Sequence, residues 1–185
     1  MTETRREVAE IDKLFLKMLR QNVVQFLTEA GASHDREDLL LLDIAPQDHE
    51  GASPHFRKAT IETLDIDPKS GATYIANLCE TNRTVIPDNR FDVVVCTEVL
   101  EHTLNPFSAT EEIHRILKPG GLALVSVPFN FRIHGPLPDC WRISEHGLKA
   151  IFNAKRGFEI VQLHSLEDEN RFLMPIHYTL IARKQ

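Results

Sequence analysis

Apolar positions Val8, Ile11, Phe15, Met18, Leu19, Val23, Phe26 and Leu27 recur close to the 3.6-residue period, so the spacing predicts one long helix over residues 4–30. Gly31 offers that helix a C-terminal stop. After the polar link "SHDRED" the pattern changes to short continuous apolar runs: "LLLLDIAP" ending in Asp43, "ATIETLDIDP" ending in Asp65, then "GATYIANL", "RFDVVVCT" and "LALVSVPF". Runs without alternation suit strands covered on both faces. Between the first two, "QDHEGASPHFRK" has room for only a short helix, because Pro54 is tolerated just in a first turn. Asn105-Pro106, reinforced by Ser108-x-x-Glu111 as a capping box, starts a helix through "SATEEIHRIL" that stops at "KPGG". Beyond the polar, proline-rich "NFRIHGPLPDCWR" come a helix "SEHGLKAIFNAK", a stop at Gly157 and two last strands, "FEIVQLHSL" and "IHYTLIARK".

Strands alternating with helices imply a parallel sheet with right-handed crossovers. The last two strands are separated by a short polar stretch without helical pattern, so they pair antiparallel at one edge. Residues 1–185 read as a single domain, with a helix and link over 1–35 and a Rossmann-like core over 36–185. Composition refines this only slightly. A chain of 185 residues, 42% apolar and 26% charged, can bury a sizeable core. The formal net charge of -6 argues against nucleic acid as a partner. No apolar stretch reaches the roughly 18 residues of a membrane span, and the charged N-terminus has no signal-peptide pattern. Three scattered cysteines, without a C-x-x-C pair, argue against a disulfide framework or a zinc cage. A reduced, cytoplasmic setting follows.

In an open parallel sheet, ligands sit beyond the carboxyl ends of the strands, near the point where strand order reverses. Asp43 ends the first strand and Asp65 the second, at the spacing where a nucleotide-binding fold places an acid for ribose hydroxyls. The plainer reading of Asp65 is a cap on the turn in "DIDP".

Together, "LLLLDIAP", "LDIDP", "FDVVVCTEVLEH" and "ILKPGGLALVSVPF" resemble the class I S-adenosylmethionine-dependent methyltransferases, over roughly residues 38–183. The resemblance implies a seven-stranded, mostly parallel sheet with a terminal antiparallel hairpin. It places the cofactor, S-adenosylmethionine, against Asp43, Ala45, Gly51, Asp65, Ile66, Asn77, Leu78 and Thr97. One departure stands out. The family's first loop reads D-x-G-x-G-x-G, whereas this chain has Asp43-Ile44-Ala45-Pro46-Gln47-Asp48-His49, with no glycine before Gly51. Ala45 is small enough for close approach, but Pro46 and Gln47 stiffen and crowd the loop. Asn77 stands where relatives often carry an acid for the adenine amino group, and its carbonyl can accept the same bond.

If the chain turns helical at about Thr97, then Glu98, Glu101 and His102 fall at i, i+3 and i+4 on one face. Two carboxylates and an imidazole form a ligand set for Mg²⁺, Mn²⁺ or Fe²⁺. E-x-x-E-H here is similar to the metal site of the small-RNA 3′-terminal 2′-O-methyltransferases and the ubiquinone-pathway O-methyltransferases, with His134 as a fourth ligand. Two other readings stay open: metal-free pocket residues, or a capped helix start. An acceptor hydroxyl needs a group to take its proton. His102 leads for that role, then His134, with Glu98 beside them. His49, His55 and His146 read as loop or surface histidines, and His114 as structural.

The segment after the fifth strand is where this fold builds its acceptor site. His134, Asp139, Trp141 and Arg142 there combine a stacking surface, a cation and an acceptor, suiting a polar, sugar-like or anionic substrate. A rigid connection with Trp141 filling the core is the alternative. The resulting expectation is a methyltransferase acting on a small-molecule or carbohydrate-like acceptor, through oxygen. Its rival is a non-catalytic binding protein of the same fold with a degenerate cofactor loop.

Overall fold

The computed structural model describes residues 8–46 and 51–185. Seven strands, β1 (Leu40–Ile44), β2 (Thr60–Asp65), β3 (Tyr74–Ile75), β4 (Phe91–Thr97), β5 (Leu117–Pro128), β6 (Phe158–Leu166) and β7 (His177–Lys184), form one sheet in the order β3-β2-β1-β4-β5-β7-β6. β1 to β5 pair in parallel, and β7 runs antiparallel between β5 and β6. The expected Rossmann-like sheet with its terminal hairpin is therefore what the chain forms. Strand order reverses between β1 and β4, which locates the crevice for a ligand.

The continuous apolar runs divide by period two onto two covered faces. Leu41, Val93, Val95, Leu122, Leu124 and Ile181 pack on one side with Leu19, Val23, Phe26 and Leu27 of helix α1 (Glu10–His34). Leu42, Val94, Cys96, Ala123, Val125 and Leu180 face the other side, against helices α2 (Pro106–Ile116) and α3 (Glu145–Ile151). Of the positions predicted by spacing, Phe15, Leu19, Val23, Phe26 and Leu27 are buried on α1 and are joined by Ala30 and Gly31. Ile11 is exposed, and Val8 lies exposed ahead of the helix start at Glu10. Nor does the helix stop at Gly31. It runs to His34, and the bare Gly31 lets the carbonyl of His55 approach: a Cβ there would lie 2.1 Å from that oxygen.

Other expectations shift for local reasons. The N-cap of α2 is Asn105, whose side chain accepts from the N–H groups of Phe107 and Ser108, so the Ser108/Glu111 capping box is not used. "KPGG" does not end a helix but enters β5, with Gly120 in the left-handed region and a register shift against β4. The third strand shortens to Tyr74–Ile75, because Asn77 turns the chain by accepting from the N–H of Cys79. From Gly51 to His55 the β1–β2 connection consists of turns rather than the expected short helix, and Ala52 and Phe56 join the core under α1. The remaining residues of that helix expectation, 47–50, lie outside the described residues, as does the reading of His49. Ser144 caps α3, and Gly157, at φ 78°, ends the short turn after it as predicted.

Candidate functional site

A cavity of about 390 Å³ opens at the carboxyl ends of β1, β2 and β4. Asp43, Ala45, Gly51, Asp65, Ile66, Asn77, Leu78 and Thr97 all line it, so the residues the resemblance assigns to the cofactor share one space. Asp43 is buried and its Oδ2 accepts from the N–H of Ala52 at 2.7 Å. Burial pushes its carboxyl up to about 6, partly opposed by that hydrogen bond. Gly51 is at φ 56°, and a Cβ there would meet Asp43 Oδ2 at 2.2 Å, so only glycine fits. Ala45, where the family pattern has its first glycine, takes φ 52°, a conformation unfavourable for any Cβ. The turn geometry of a glycine is thus kept by an alanine.

Asp65 is both things the sequence allowed: it lines the cavity and its Oδ1 accepts from the N–H of Asp67 at 2.7 Å. Asn77 binds locally, with Oδ1 on the N–H of Cys79 and Nδ2 donating to Glu80. Sequence reasoning missed the wall supplied by α1, where Leu16, Leu19 and Arg20 reach the cavity. Arg20 has no partner among the described residues. Nothing in its local pattern set it apart from the other charges on the helix.

The exit of β4 does not turn helical at Thr97. Glu98 lies at φ 55°, and a 3₁₀ turn begins only at Leu100–His102. The expectation that Glu98, Glu101 and His102 share a helical face therefore fails, because a left-handed residue redirects the chain between them. Glu98 lines the cavity and its Oε1 accepts from Ser126 Oγ and His177 Nε2, each at 2.7 Å. Burial works to raise its carboxyl, but His177 and the hydroxyl outweigh this and hold it below the usual carboxylate range.

Glu101 is fully buried, and neither of its carboxylate oxygens has a hydrogen-bond partner among the described residues. Burial, then the nearby Glu98 charge, pushes its carboxyl well above the usual range. Its Oε1 lies 3.7 Å from Nε2 of both His102 and His134. The two rings meet edge to face with centroids 4.8 Å apart. His102 Nδ1 sits 3.0 Å from the carbonyl of Pro138, which can only accept, so Nδ1 carries the proton and Nε2 is left as an acceptor in the neutral ring. The grouping that brings ligand atoms within 4.8 Å of one another is Glu101, His102 and His134; Glu98 is not part of it.

His134 reaches this place on a loop docked across the 3₁₀ turn. The carbonyl of Glu101 accepts from the N–H groups of Cys140 and Trp141 at 2.7 and 3.2 Å, and Trp141 Nε1 donates to the carbonyl of Thr103 at 2.8 Å. Asp139 and Arg142 face each other rather than the cavity. Arg142 directs all five N–H donors to Asp139 and the carbonyls of Phe131, Arg132 and Trp141. Asp139 also accepts from the N–H of His134, and the Arg142 guanidinium holds its carboxyl down to about 2. Both clamp the loop that carries His134, and Trp141, still 41% exposed, pins it without filling the core. His55, paired with Thr28 Oγ1, and His114, stacked on Phe158, stand away from the cavity lining.

Residues 15–163 match the model of a family described as a methyltransferase domain. A segment of 104 residues is 31% identical to a ubiquinone biosynthesis O-methyltransferase of Haemophilus ducreyi, covering 54% of this chain and 38% of that protein. A shorter one of 37 residues is 49% identical to the protein of the same name from Pseudomonas aeruginosa, covering 20% of the chain and 16% of the relative. The chain thus spans well under half the length of these curated relatives. Among solved structures, a SAM-dependent methyltransferase from Methanosarcina mazei superimposes with a TM-score of 0.63 at 18% identity, over 83% of this chain and 95% of that one. The [4+2]-cyclase SpnF does so with a TM-score of 0.64 at 19% identity, over 89% and 82%. At such identities the superpositions speak for the fold alone. Among the described residues, no helix is long and apolar enough to cross a membrane.

Proposed function

The chain belongs to the methyltransferase domain family, and from that premise we propose that it is an S-adenosylmethionine-dependent O-methyltransferase whose acceptor is a small molecule carrying a hydroxyl group. The observation that carries this reading is the continuity of the cavity: the strand-end acids Asp43 and Asp65 and the ionisable groups Glu98, His102 and His134 line the same space. S-adenosylmethionine, when bound, supplies an electrophilic methyl group. The chain's own task is to hold and orient, since alignment of reacting groups carries much of a displacement of this kind. Asp65 would accept the ribose hydroxyls, and Arg20, which has no partner among the described residues, would face the carboxylate of the methionine part. Acceptor-side walls of Val99, Leu104, Phe131, Pro136 and Pro138 are apolar and suit an aromatic ring bearing the hydroxyl better than a saccharide. The name of the partial relatives, O-methyltransferases of ubiquinone biosynthesis, agrees with transfer to oxygen.

Calorimetric titration with S-adenosylhomocysteine tests the proposal. The wild type is expected to bind, and Asp65→Ala to weaken binding by about 1.5–3 kcal/mol, the range for hydrogen bonds to a charged group. No binding at millimolar ligand would move the chain to the rival reading, a binding protein of the same fold.

The orphaned carboxylate of Glu101 favours a second element, a divalent metal. Glu101, His102 and His134 fit one as a two-imidazole, one-carboxylate set, which shifts preference from Mg²⁺ toward Mn²⁺ or Fe²⁺. Such an ion would lower the pKa of an acceptor hydroxyl. Mn²⁺ should then raise the melting temperature of the wild type and not that of Glu101→Gln; equal responses would remove the metal from the proposal.

A further inference from the structure

β7 starts at His177, and the register sets this residue opposite Pro128 of β5 on one side and Leu166 of β6 on the other. Held by ladders on both flanks, its backbone has no room to adjust. Leu122, Leu124 and Ile181 pack toward α1, so period two carries Ser126 and His177 onto that same face at its polar end. The imidazole is fully buried there. Its Nε2 lies 2.7 Å from Glu98 Oε1, and its Nδ1 lies 2.8 Å from Nδ2 of Asn22 on α1. A carboxylate only accepts, so Nε2 carries the proton, and the remaining lone pair on Nδ1 matches the amide donor of Asn22. Ser126 Oγ donates to the same carboxylate oxygen.

Glu98 Oε1 therefore receives two donors, while no hydrogen bond to Oε2 is formed among the described residues, and Glu98 lines the cavity. The residue also holds a left-handed backbone at φ 55°. For a side chain of this size that conformation persists only where the surroundings over-determine it. Here the surroundings are Ser126 and His177.

We infer that His177 is a positioning residue for methyl transfer: with Asn22 and Ser126 it anchors one oxygen of Glu98, so that the other is turned toward the acceptor's hydroxyl. The inference rests on the O-methyltransferase reading above. In this arrangement the hydroxyl proton passes to Glu98 Oε2 and its bonding electron pair stays on the acceptor oxygen, which becomes the nucleophile. Glu98 ends the step as a neutral acid. Asn22 ties the orientation to α1, the helix that walls the cavity with Leu16, Leu19 and Arg20.

Two measurements on the full chain test this. In ¹⁵N-histidine spectra, with the His177 signal assigned by its loss in His177→Gln, the ring is expected as the Nε2–H tautomer, slow to exchange its proton with solvent. The opposite tautomer overturns the inference without requiring any acceptor. The second measurement is turnover of 3,4-dihydroxybenzoate with S-adenosylmethionine. His177→Leu is expected to lower kcat at least tenfold with acceptor KM and S-adenosylhomocysteine affinity changed less than twofold. His177→Gln, which keeps an N–H donor, should recover most of that loss. Asn22→Ala, a milder change on a half-buried helix position, should lower kcat two- to tenfold, and it serves where the leucine variant does not fold. Equal kcat in all variants, or loss of cofactor affinity and kcat in parallel, overturns the positioning role. Failure of the wild type to bind S-adenosylhomocysteine would instead sink the methyltransferase reading itself.

Discussion

Glu98 and Glu101 leave the end of β4 three residues apart, yet they occupy two polar regions of opposite character. On the sheet side, Glu98 is matched by donors from β5 and β7, and its carboxyl is held below the ordinary range. On the loop side, Glu101 is sealed from solvent with no donor on either oxygen among the described residues, and its carboxyl is pushed well above that range by burial and by Glu98 itself. A buried carboxylate with partners is a structural and orienting element. One without partners is a cost that folding alone does not explain, and such costs cluster where a ligand is to be met. The difference separates the two acids by their surroundings: Glu98 is held by donors from β5 and β7, whereas Glu101 Oε1 has the imidazoles of His102 and His134 at 3.7 Å.

Substitution at each member should give the largest contrast. Glu98→Leu leaves His177 buried without its acceptor and should cost about 3–5 kcal/mol, the range for breaking a buried pair from one side. Glu101→Gln keeps a buried polar group of the same size but removes the possibility of a charge there. It should leave stability unchanged or raise it by about 1–2 kcal/mol at pH 8, since a buried group left unsatisfied costs more when it is charged. Urea denaturation of the two variants measures both. Equal destabilisation would mean that Glu101 has a partner in solution and would break the comparison.

Asp43 sharpens the same contrast at the end of β1, because burial raises its carboxyl as it does that of Glu101, although Asp43 keeps a hydrogen bond from the N–H of Ala52. Its folded pKa of about 6 lies above the usual aspartate value of about 3.9. The folded state therefore binds the extra proton between these values, so Asp43's contribution to stability is complete below pH 4 and is lost as pH rises through 6. At 1.36 kcal/mol per unit, the loss amounts to about 3 kcal/mol. Asp43→Asn should flatten the stability profile between pH 4 and 6 by about that amount; an unchanged slope would mean that Asp43 is ionised in the folded protein.

Smaller effects test the frame around the two acids. Trp141→Phe removes the indole bond to Thr103 and should cost about 1 kcal/mol, loosening the loop that brings His134 to Glu101. The site of Glu98 on the other arm should not respond, and a tautomer change at His177 in that variant would show the two arms to be coupled. Last, Ala45→Gly relieves a left-handed alanine, worth about 1–2 kcal/mol, against a glycine entropy cost of about 0.5–1 kcal/mol. A net gain of about 0.5 kcal/mol is expected, read as a small rise in the melting temperature.

Several of these features were legible before any coordinates. Asp43 and Asp65 were identifiable as strand-end acids because each closes an apolar run, and runs of that type have one place in a parallel sheet. The residues that the resemblance carried by "FDVVVCTEVLEH" and "LKPGG" assigns to the cofactor line one cavity. His134 was picked out beside His102, and the two do meet. By contrast, His177 looked like one more residue of a terminal strand, and Asn22 and Ser126 like ordinary polar positions. Their meeting depends on β7 inserting between β5 and β6 and on α1 lying over that end of the sheet. Likewise, Asp139 and Arg142 carried the chemistry of an acceptor contact, but a guanidinium with five donors and carbonyls close at hand satisfied itself within the loop.

By itself, then, the order of residues determined the strands, the two buried faces and the acids at the strand ends, because hydrophobic period and turn chemistry act over a few neighbouring residues. Which carboxylate is held and which is orphaned was decided only by the tertiary structure. A single left-handed backbone angle at Glu98 separates it from Glu101 and His102, and the donors that reach each acid come from strands and loops remote along the chain. Local pattern carries no information about such partners, since hydrogen bonding and desolvation depend on distances in space.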